Sequence, residues 1–263
     1  MGGIIKTISI LGTGWLGLPL AEHFVANGYL VNGSTRSPER FDILTKANIT
    51  PFFLDLERLT DKDKGFFEAD ILVINIPFKG VGEFAKLVTV IETSNIDKVI
   101  FVSSTSVYRN DAGEINEEDE TALSPCKLLD IESLFTANQH FTTTIVRFGG
   151  LIGYNRNPAH FFKNGKVINK PESKVNLIHR DDCINILDRI IRLNAWAKTY
   201  NGCADTHPTK KEFYTYACQM SKLPIPNCAD DNDPSYKVIL NTKVKQELNY
   251  RFVHPDVLKL QFI

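Results

Sequence analysis

One six-residue run constrains this chain more than any other: Gly12-Thr13-Gly14-Trp15-Leu16-Gly17. It follows a short apolar stretch, Ile8-Ser9-Ile10-Leu11, and opens a segment from Leu16 to Asn27 with helical spacing that Gly28 is placed to end. Three glycines set like this between a strand and a helix have a mechanical reading. Gly12 permits a tight turn, Gly14 lets the backbone approach a pyrophosphate, and Gly17 allows close helix–strand packing. The helix N-terminus then offers N–H groups and a positive dipole end to phosphate. The run therefore predicts a dinucleotide cradle built by Gly12, Thr13, Gly14, Trp15, Leu16 and Gly17.

The rest of the first half suits that turn. Further strands are expected at Tyr29-Leu30-Val31, Pro51 to Leu54, Asp70 to Asn75 and Lys98 to Ser103, with a helix over Phe84 to Thr93. Alternating strands and helices imply a parallel sheet with right-handed crossovers, and near-continuous apolar strands imply cover on both faces. An acidic, loop-like stretch from Asp111 to Ser124 precedes a helix over about Cys126 to Ala137 and a strand through Thr144 to Arg147. Beyond Gly150 the pattern becomes irregular, with helices expected at Cys183 to Leu193, from near Lys211, and at Asn241 to Leu248. The expected fold is α/β, a Rossmann-type doubly wound parallel sheet with a smaller, interwoven C-terminal substrate lobe. The expected division is residues 1–150 for the dinucleotide-binding domain and 151–263 for that lobe.

The end of the second strand bears on which dinucleotide fits. An NAD site usually carries Asp or Glu there for the ribose 2′-hydroxyl, but this chain has Gly33-Ser34-Thr35-Arg36. Ser34, Thr35 and Arg36 can donate to a 2′-phosphate that an acid would repel, so NADP is expected over NAD.

Composition narrows the partners. The formal net charge of −1, without a basic block, excludes nucleic acid and an anionic membrane as expected partners. The N-terminal MGGIIKTISILGTG is too short to span a bilayer and reads as a buried strand, not a signal peptide. Five dispersed cysteines read as the reduced thiols of a cytoplasmic protein. The six histidines show no paired ligand spacing, so no metal is expected; His179 with its neighbouring acids is the sole arrangement that suggests one.

Four segments, in order, resemble the extended short-chain dehydrogenase/reductase superfamily, in its nucleoside-diphosphate-sugar epimerase or NAD-dependent epimerase/dehydratase group. They are the glycine run, Phe101-Val102-Ser103-Ser104-Thr105-Ser106-Val107-Tyr108 (similar to SSxxVYG), Val146 to Gly153, and Val175 to Asp182 with its Ile178-His179-Arg180-Asp181-Asp182. The resemblance implies that Asp55 and Leu56 approach the adenine, and that Asn75, Ile76, Pro77 and Ser103 line the cofactor. It implies Ser104 as the catalytic hydroxyl that bonds a substrate hydroxyl or carbonyl, and a homodimer as the assembly.

The same resemblance exposes a departure. The family's Tyr-x-x-x-Lys pair would fall at Ser124 and Leu128, and no tyrosine occurs between Tyr108 and Tyr154. The dehydratases' acid pair would fall at Thr105 and Ser106. Tyr108 is a substitute acid and Lys127 a substitute charge. In the C-terminal half, Arg147 is expected to pair with a carboxylate inside the fold. Arg156, with His160 and Lys163, is expected to meet an anionic substrate group, and Asp181 or Asp182 to cap the helix that follows. The expected function is an NADP(H)-binding, epimerase/dehydratase-like oxidoreductase acting on a sugar-like or other polar small molecule. The alternative is a catalytically inactive dinucleotide-binding regulatory or scaffold protein.

Overall fold

The computed structural model describes residues 6–78, 80–162, 165–230 and 236–262; Lys163 and the first five residues of the N-terminal stretch lie outside them. The chain alternates β1 (Thr7–Leu11), α1 (Gly17–Ala26), β2 (Leu30–Thr35), α2 (Phe41–Lys46), β3 (Thr50–Phe53), β4 (Ile71–Ile74), α3 (Val81–Glu92) and β5 (Lys98–Ser104). It continues through β6 (Gly113–Ile115), α4 (Lys127–Thr136), β7 (Thr142–Phe148), β8 (Gly150–Ile152), β9 (Leu177–His179) and α5 (Arg180–Arg192). The last elements are β10 (Thr199–Gly202), α6 (Lys210–Met220), β11 (Lys237–Ile239) and α7 (Thr242–Glu247).

Seven strands form one sheet in the order β10-β7-β5-β4-β1-β2-β3, and the pairs β3–β2, β2–β1, β1–β4 and β4–β5 are parallel. This is a Rossmann-like α/β sheet. The strand order reverses direction between β1 and β4, the switch point outside which open α/β sheets bind ligands. Burial follows position: every residue of β4 (Ile71, Leu72, Val73, Ile74) is buried, whereas β3 at the sheet edge buries none of its four residues.

The strands and long helices expected from periodicity all occur, with shifted ends. β2 runs on to Thr35, four residues past the apolar stretch, with Gly33, Ser34 and Thr35 all buried. α5 begins at Arg180, three residues earlier than its apolar pattern suggests. The short α2 buries Leu44 alone, so it has no apolar stripe to announce it. The acidic stretch is more structured than a surface loop: it holds β6, paired with β11, and Tyr108 bridges antiparallel to Leu123.

The chain divides into two compact units, each assembled from separated segments. The first comprises residues 1–103, 125–146 and 187–199. Its apolar core is rich in aromatic rings: Phe101 stacks on Phe135 with centroids 5.2 Å apart, and Phe84 and Phe141 pack edgewise or tilted on the same ring at 6.2 Å. Each such ring contributes about 1.5–3 kcal/mol through burial. The second comprises residues 104–124, 147–186 and 200–263. It has its own smaller apolar centre around Ile152, Leu177, Phe213, Ala217 and Phe262. Among the described residues, no helix is long and apolar enough to cross a membrane.

Candidate functional site

The carboxyl ends of β1, β2, β3 and β4 surround a groove of about 660 Å³, wholly within the first unit. Its walls include Gly12, Thr13 and Gly14 from the glycine turn, Ser34, Thr35 and Arg36 from the end of β2, and Asp55, Leu56, Asn75, Ile76 and Pro77. Eleven of the fifteen expected cofactor residues therefore stand around one cavity.

The glycines act as their spacing suggests. Gly12 has φ +99°, and a Cβ on it would meet the Asn75 carbonyl oxygen and Ile76 Cγ2, each at 2.6 Å. A Cβ on Gly17 would lie 2.0 Å from the Gly12 carbonyl oxygen, so the helix can approach the turn only without a side chain there. Gly14 differs: a Cβ on it would meet nothing within 4 Å, which leaves open space where a phosphate would come. No side chain caps the start of α1, and no acid sits in its first turn. That end keeps its partial positive charge for an external anion.

Polar side chains brace the turn from behind. Gly12 N–H donates to Ser34 Oγ at 2.9 Å, and Thr13 donates to the Ser34 carbonyl through its N–H (3.0 Å) and hydroxyl (2.8 Å). Asn75 Nδ2 donates to the Gly12 carbonyl at 3.3 Å. This revises the expectation for Ser34 and Thr35. Both line the groove but are buried, and the Thr35 hydroxyl accepts from Ser37 N–H at 3.1 Å. Their oxygens hold backbone; the exposed Arg36 is the residue of that trio with a charged end. Ser37 and Arg40, which line the same wall, were not singled out from sequence. Arg40 precedes a helix without an apolar stripe, so no local pattern marks it.

Four expected residues stand elsewhere. Trp15, Leu16 and Gly17 lead into or begin α1 and are absent from the groove wall. Ser103 is buried, and its hydroxyl donates to Glu132 Oε1 on α4 at 2.5 Å. That bond ties β5 to α4, a packing role that the resemblance did not indicate.

The second unit holds Ser104, Tyr108, Arg147, Arg156 and His160. Ser104 Oγ, half-buried at the end of β5, accepts the Ser106 N–H at 3.1 Å and so caps the short turn over Thr105–Val107. Tyr108 is buried; its hydroxyl donates to Asn201 Oδ1 at 3.0 Å and accepts from Arg147 Nη1 at 2.8 Å. The Arg147 guanidinium also faces the Tyr108 ring, 5.0 Å from its centroid. Burial raises the Tyr108 pKa despite the lowering influence of Arg147. Its hydroxyl is thus protonated, doubly bonded and enclosed, which makes a support of the expected substitute acid.

A lysine that sequence reading passed over reaches the same segment. Lys237 Nζ on β11 donates to the carbonyls of Tyr108 (3.3 Å) and Thr105 (3.5 Å), and burial lowers its pKa. No motif surrounds it in Ser235-Tyr236-Lys237-Val238, so nothing local could have flagged it. Lys127 is exposed at the start of α4, Leu128 is half-buried, and Ser124 N–H donates to the Val107 carbonyl at 2.8 Å. Arg156 and His160 are exposed, with Arg156 N–H donating to the Gly153 carbonyl at 3.0 Å.

The His-Arg-Asp-Asp turn also differs from expectation. Asp182, fully buried, accepts from the Tyr250 hydroxyl (2.6 Å), Val253 N–H (2.7 Å) and His254 N–H (3.1 Å). It anchors the C-terminal segment where a helix cap was expected. Asp181 meets His179 and His254, the latter from 73 residues further along the chain.

Residues 12–183 match the family described as NAD(P)H-binding. Protein YeeZ of Escherichia coli strain K12 is 30% identical over 97% of this chain and 98% of its own length. A functionally unknown conserved protein from Silicibacter pomeroyi aligns with a TM-score of 0.81 at 22% identity, covering 96% of this chain and 95% of that one. The UDP-glucuronic acid 4-epimerase of Bacillus cereus, solved in complex with NAD, aligns with a TM-score of 0.76 at 17% identity over 96% of each chain. At these identities the two solved structures establish a shared fold.

Proposed function

Because this chain belongs to the NAD(P)H-binding family, we propose that it is an NADP(H)-dependent, epimerase/dehydratase-like oxidoreductase acting on a sugar-like or other polar small molecule. The observation that carries the cofactor half is the open space over Gly14 beside an uncapped helix start, walled by Arg36 and Arg40. The pyrophosphate sits on the N–H groups of the glycine turn. Arg36 and Arg40 take the 2′-phosphate, a group their guanidinium forks can grip with paired charged hydrogen bonds. Asp55 and Leu56 flank the adenine, and Asn75, Ile76 and Pro77 lie along the path toward the nicotinamide, which supplies or accepts hydride when bound.

For chemistry on the substrate, Ser104 bonds a hydroxyl or carbonyl, and Arg156 meets an anionic group. Lys237 serves as the proton-exchanging group in place of the absent Tyr-x-x-x-Lys pair. Its half-buried ammonium, with a pKa shifted down, loses a proton more readily than a solvated lysine. The free thiols of the five cysteines suit a reducing, cytoplasmic setting, and a homodimer is the assembly that the family resemblance implies.

A thermal-shift comparison of NADP and NAD tests this reading. NADP is expected to raise the midpoint more at equal concentration, since a ligand of the native state stabilises it by mass action. Arg36→Asp should reverse the order. Equal shifts by the two nucleotides in the parent protein would remove the 2′-phosphate assignment. A second reading, a dinucleotide-binding regulator without chemistry, is favoured by Ser124 and Leu128 at the positions of the missing pair. NADPH oxidation with a panel of nucleotide sugars, lost in Ser104→Ala, excludes it; tight NADPH binding without turnover of any substrate supports it.

A further inference from the structure

We propose that His179 Nδ1, Asp181 Oδ2 and His254 Nε2 form a binding site for a single divalent transition-metal ion of the zinc type, in the second unit and separate from the dinucleotide groove. The three residues come from different places. His179 ends β9, Asp181 lies in the first turn of α5, and His254 belongs to the C-terminal segment that Asp182 anchors.

Their spacing is that of ligands around a small cation. His179 Nδ1 lies 3.4 Å and His254 Nε2 3.3 Å from the same oxygen, Asp181 Oδ2, and all three donor atoms lie within 4.8 Å of one another. A tetrahedral ion with ligand bonds of about 2.0–2.1 Å has ligand–ligand edges of about 3.3–3.4 Å. The two imidazole rings pack on each other with centroids 3.9 Å apart, so an ion bound by both would spread them to about 5 Å.

The surroundings orient each donor. A Cβ on Gly153, at φ +114°, would lie 2.3 Å from His179 Nε2, so that nitrogen is closed off and Nδ1 is the one that faces Asp181. Nδ1 also accepts the Asp181 N–H at 3.3 Å, a long bond that an ion taking the same lone pair would replace. The Tyr154 hydroxyl donates to Asp181 Oδ1 at 2.8 Å, which leaves Oδ2 for the ion, an outer hydrogen bond of the kind that fixes ligating carboxylates. The Arg180 guanidinium lies over the Tyr154 ring, 3.7 Å from its centroid, so that cation is held on an aromatic face. Asp182 fixes His254 through backbone, which frees its ring to aim at Asp181.

The donor set selects the metal class. Two imidazoles and one carboxylate suit zinc, nickel or copper and do not suit magnesium or calcium, which prefer all-oxygen shells. Three protein ligands, with the Asp181 side chain 34% and that of His254 29% exposed, leave a fourth position open to water or a ligand oxygen.

The test uses the full chain, reduced and carrying Cys228→Ser so that the exposed thiol cannot compete. Zinc chloride is titrated against a chromophoric chelator, and cobalt chloride is added separately for its visible spectrum. One equivalent of zinc, an intense tetrahedral-type cobalt band, affinity about 100-fold weaker in His254→Ala and about 10-fold weaker in Tyr154→Phe are expected. Asp181→Asn decides the matter if His254→Ala does not fold. Zinc uptake equal in the parent and in the folded ligand variant, or a weak octahedral-type cobalt spectrum, overturns the proposal. NADPH binding measured on the same samples is expected to be unchanged, so loss of the metal site and loss of the dinucleotide site remain distinguishable.

Discussion

The two units of this chain are held together by different physics. The first buries an aromatic cluster against leucine and isoleucine, and braces its glycine turn with neutral hydroxyl and amide groups. The second threads buried polar networks through a smaller apolar centre: Arg147–Tyr108–Asn201, and Asp182 with Tyr250, Val253 and His254. In the second unit, burial displaces the pKa values of Tyr108, Glu117, His179, Lys237 and Tyr250 from their ordinary values. A dinucleotide cradle of this design needs backbone N–H groups and room, neither of which titrates. In the second unit burial instead holds polar side chains in defined protonation states.

The largest test of that contrast is Asp182→Ala, which leaves a hydroxyl and two backbone N–H groups buried without their acceptor. A loss of about 4 kcal/mol in urea unfolding is expected. A loss near zero would mean that the second unit does not depend on this network. Gly17→Ala strikes the first unit sterically, with a Cβ 2.0 Å from the Gly12 carbonyl. It should cost about 3 kcal/mol, and NADPH affinity in a fluorescence titration should fall at least about 100-fold. Affinity within twofold of the parent would detach the cofactor from the turn.

Tyr108→Phe is smaller. It removes the hydroxyl between Arg147 and Asn201 and should cost about 1.5 kcal/mol. Hydrogen exchange should place the loss in residues 104–124, 147–186 and 200–263, and a loss spread evenly over both units would blur the contrast.

The mildest effect is alkaline. The folded pKa of Tyr108 and Tyr250 lies above the ordinary 10.0, so the unfolded chain releases these protons first. Their stabilising share is full below pH 10 and declines as pH rises from there. Urea midpoints at successive pH values should fall above pH 10, and less steeply in Tyr250→Phe; a flat profile would break the prediction.

Legibility divided along similar lines. The cradle could be read because its logic is local: strand, three glycines at fixed spacing and helix occupy one short stretch. Ser34 lines the groove, but only the folded chain shows its hydroxyl turned to Gly12 N–H. Arg40 escaped because α2 has no apolar stripe, and β8 to β11 because strands of three or four residues are too short to show alternation. The early start of α5 escaped for a related reason: its first turn is Arg180-Asp181-Asp182, polar residues anchored by tertiary contacts.

By itself the sequence determined the α/β class, the order of the main elements and the position of the phosphate turn, since each follows from periodicity and turn chemistry over a few neighbouring residues. Tertiary structure alone decided that Lys237 reaches the carbonyls of Thr105 and Tyr108, and that His254 meets His179 across Asp181. Those partners are 73 to 132 residues apart along the chain, and packing brings them together where no local rule relates them.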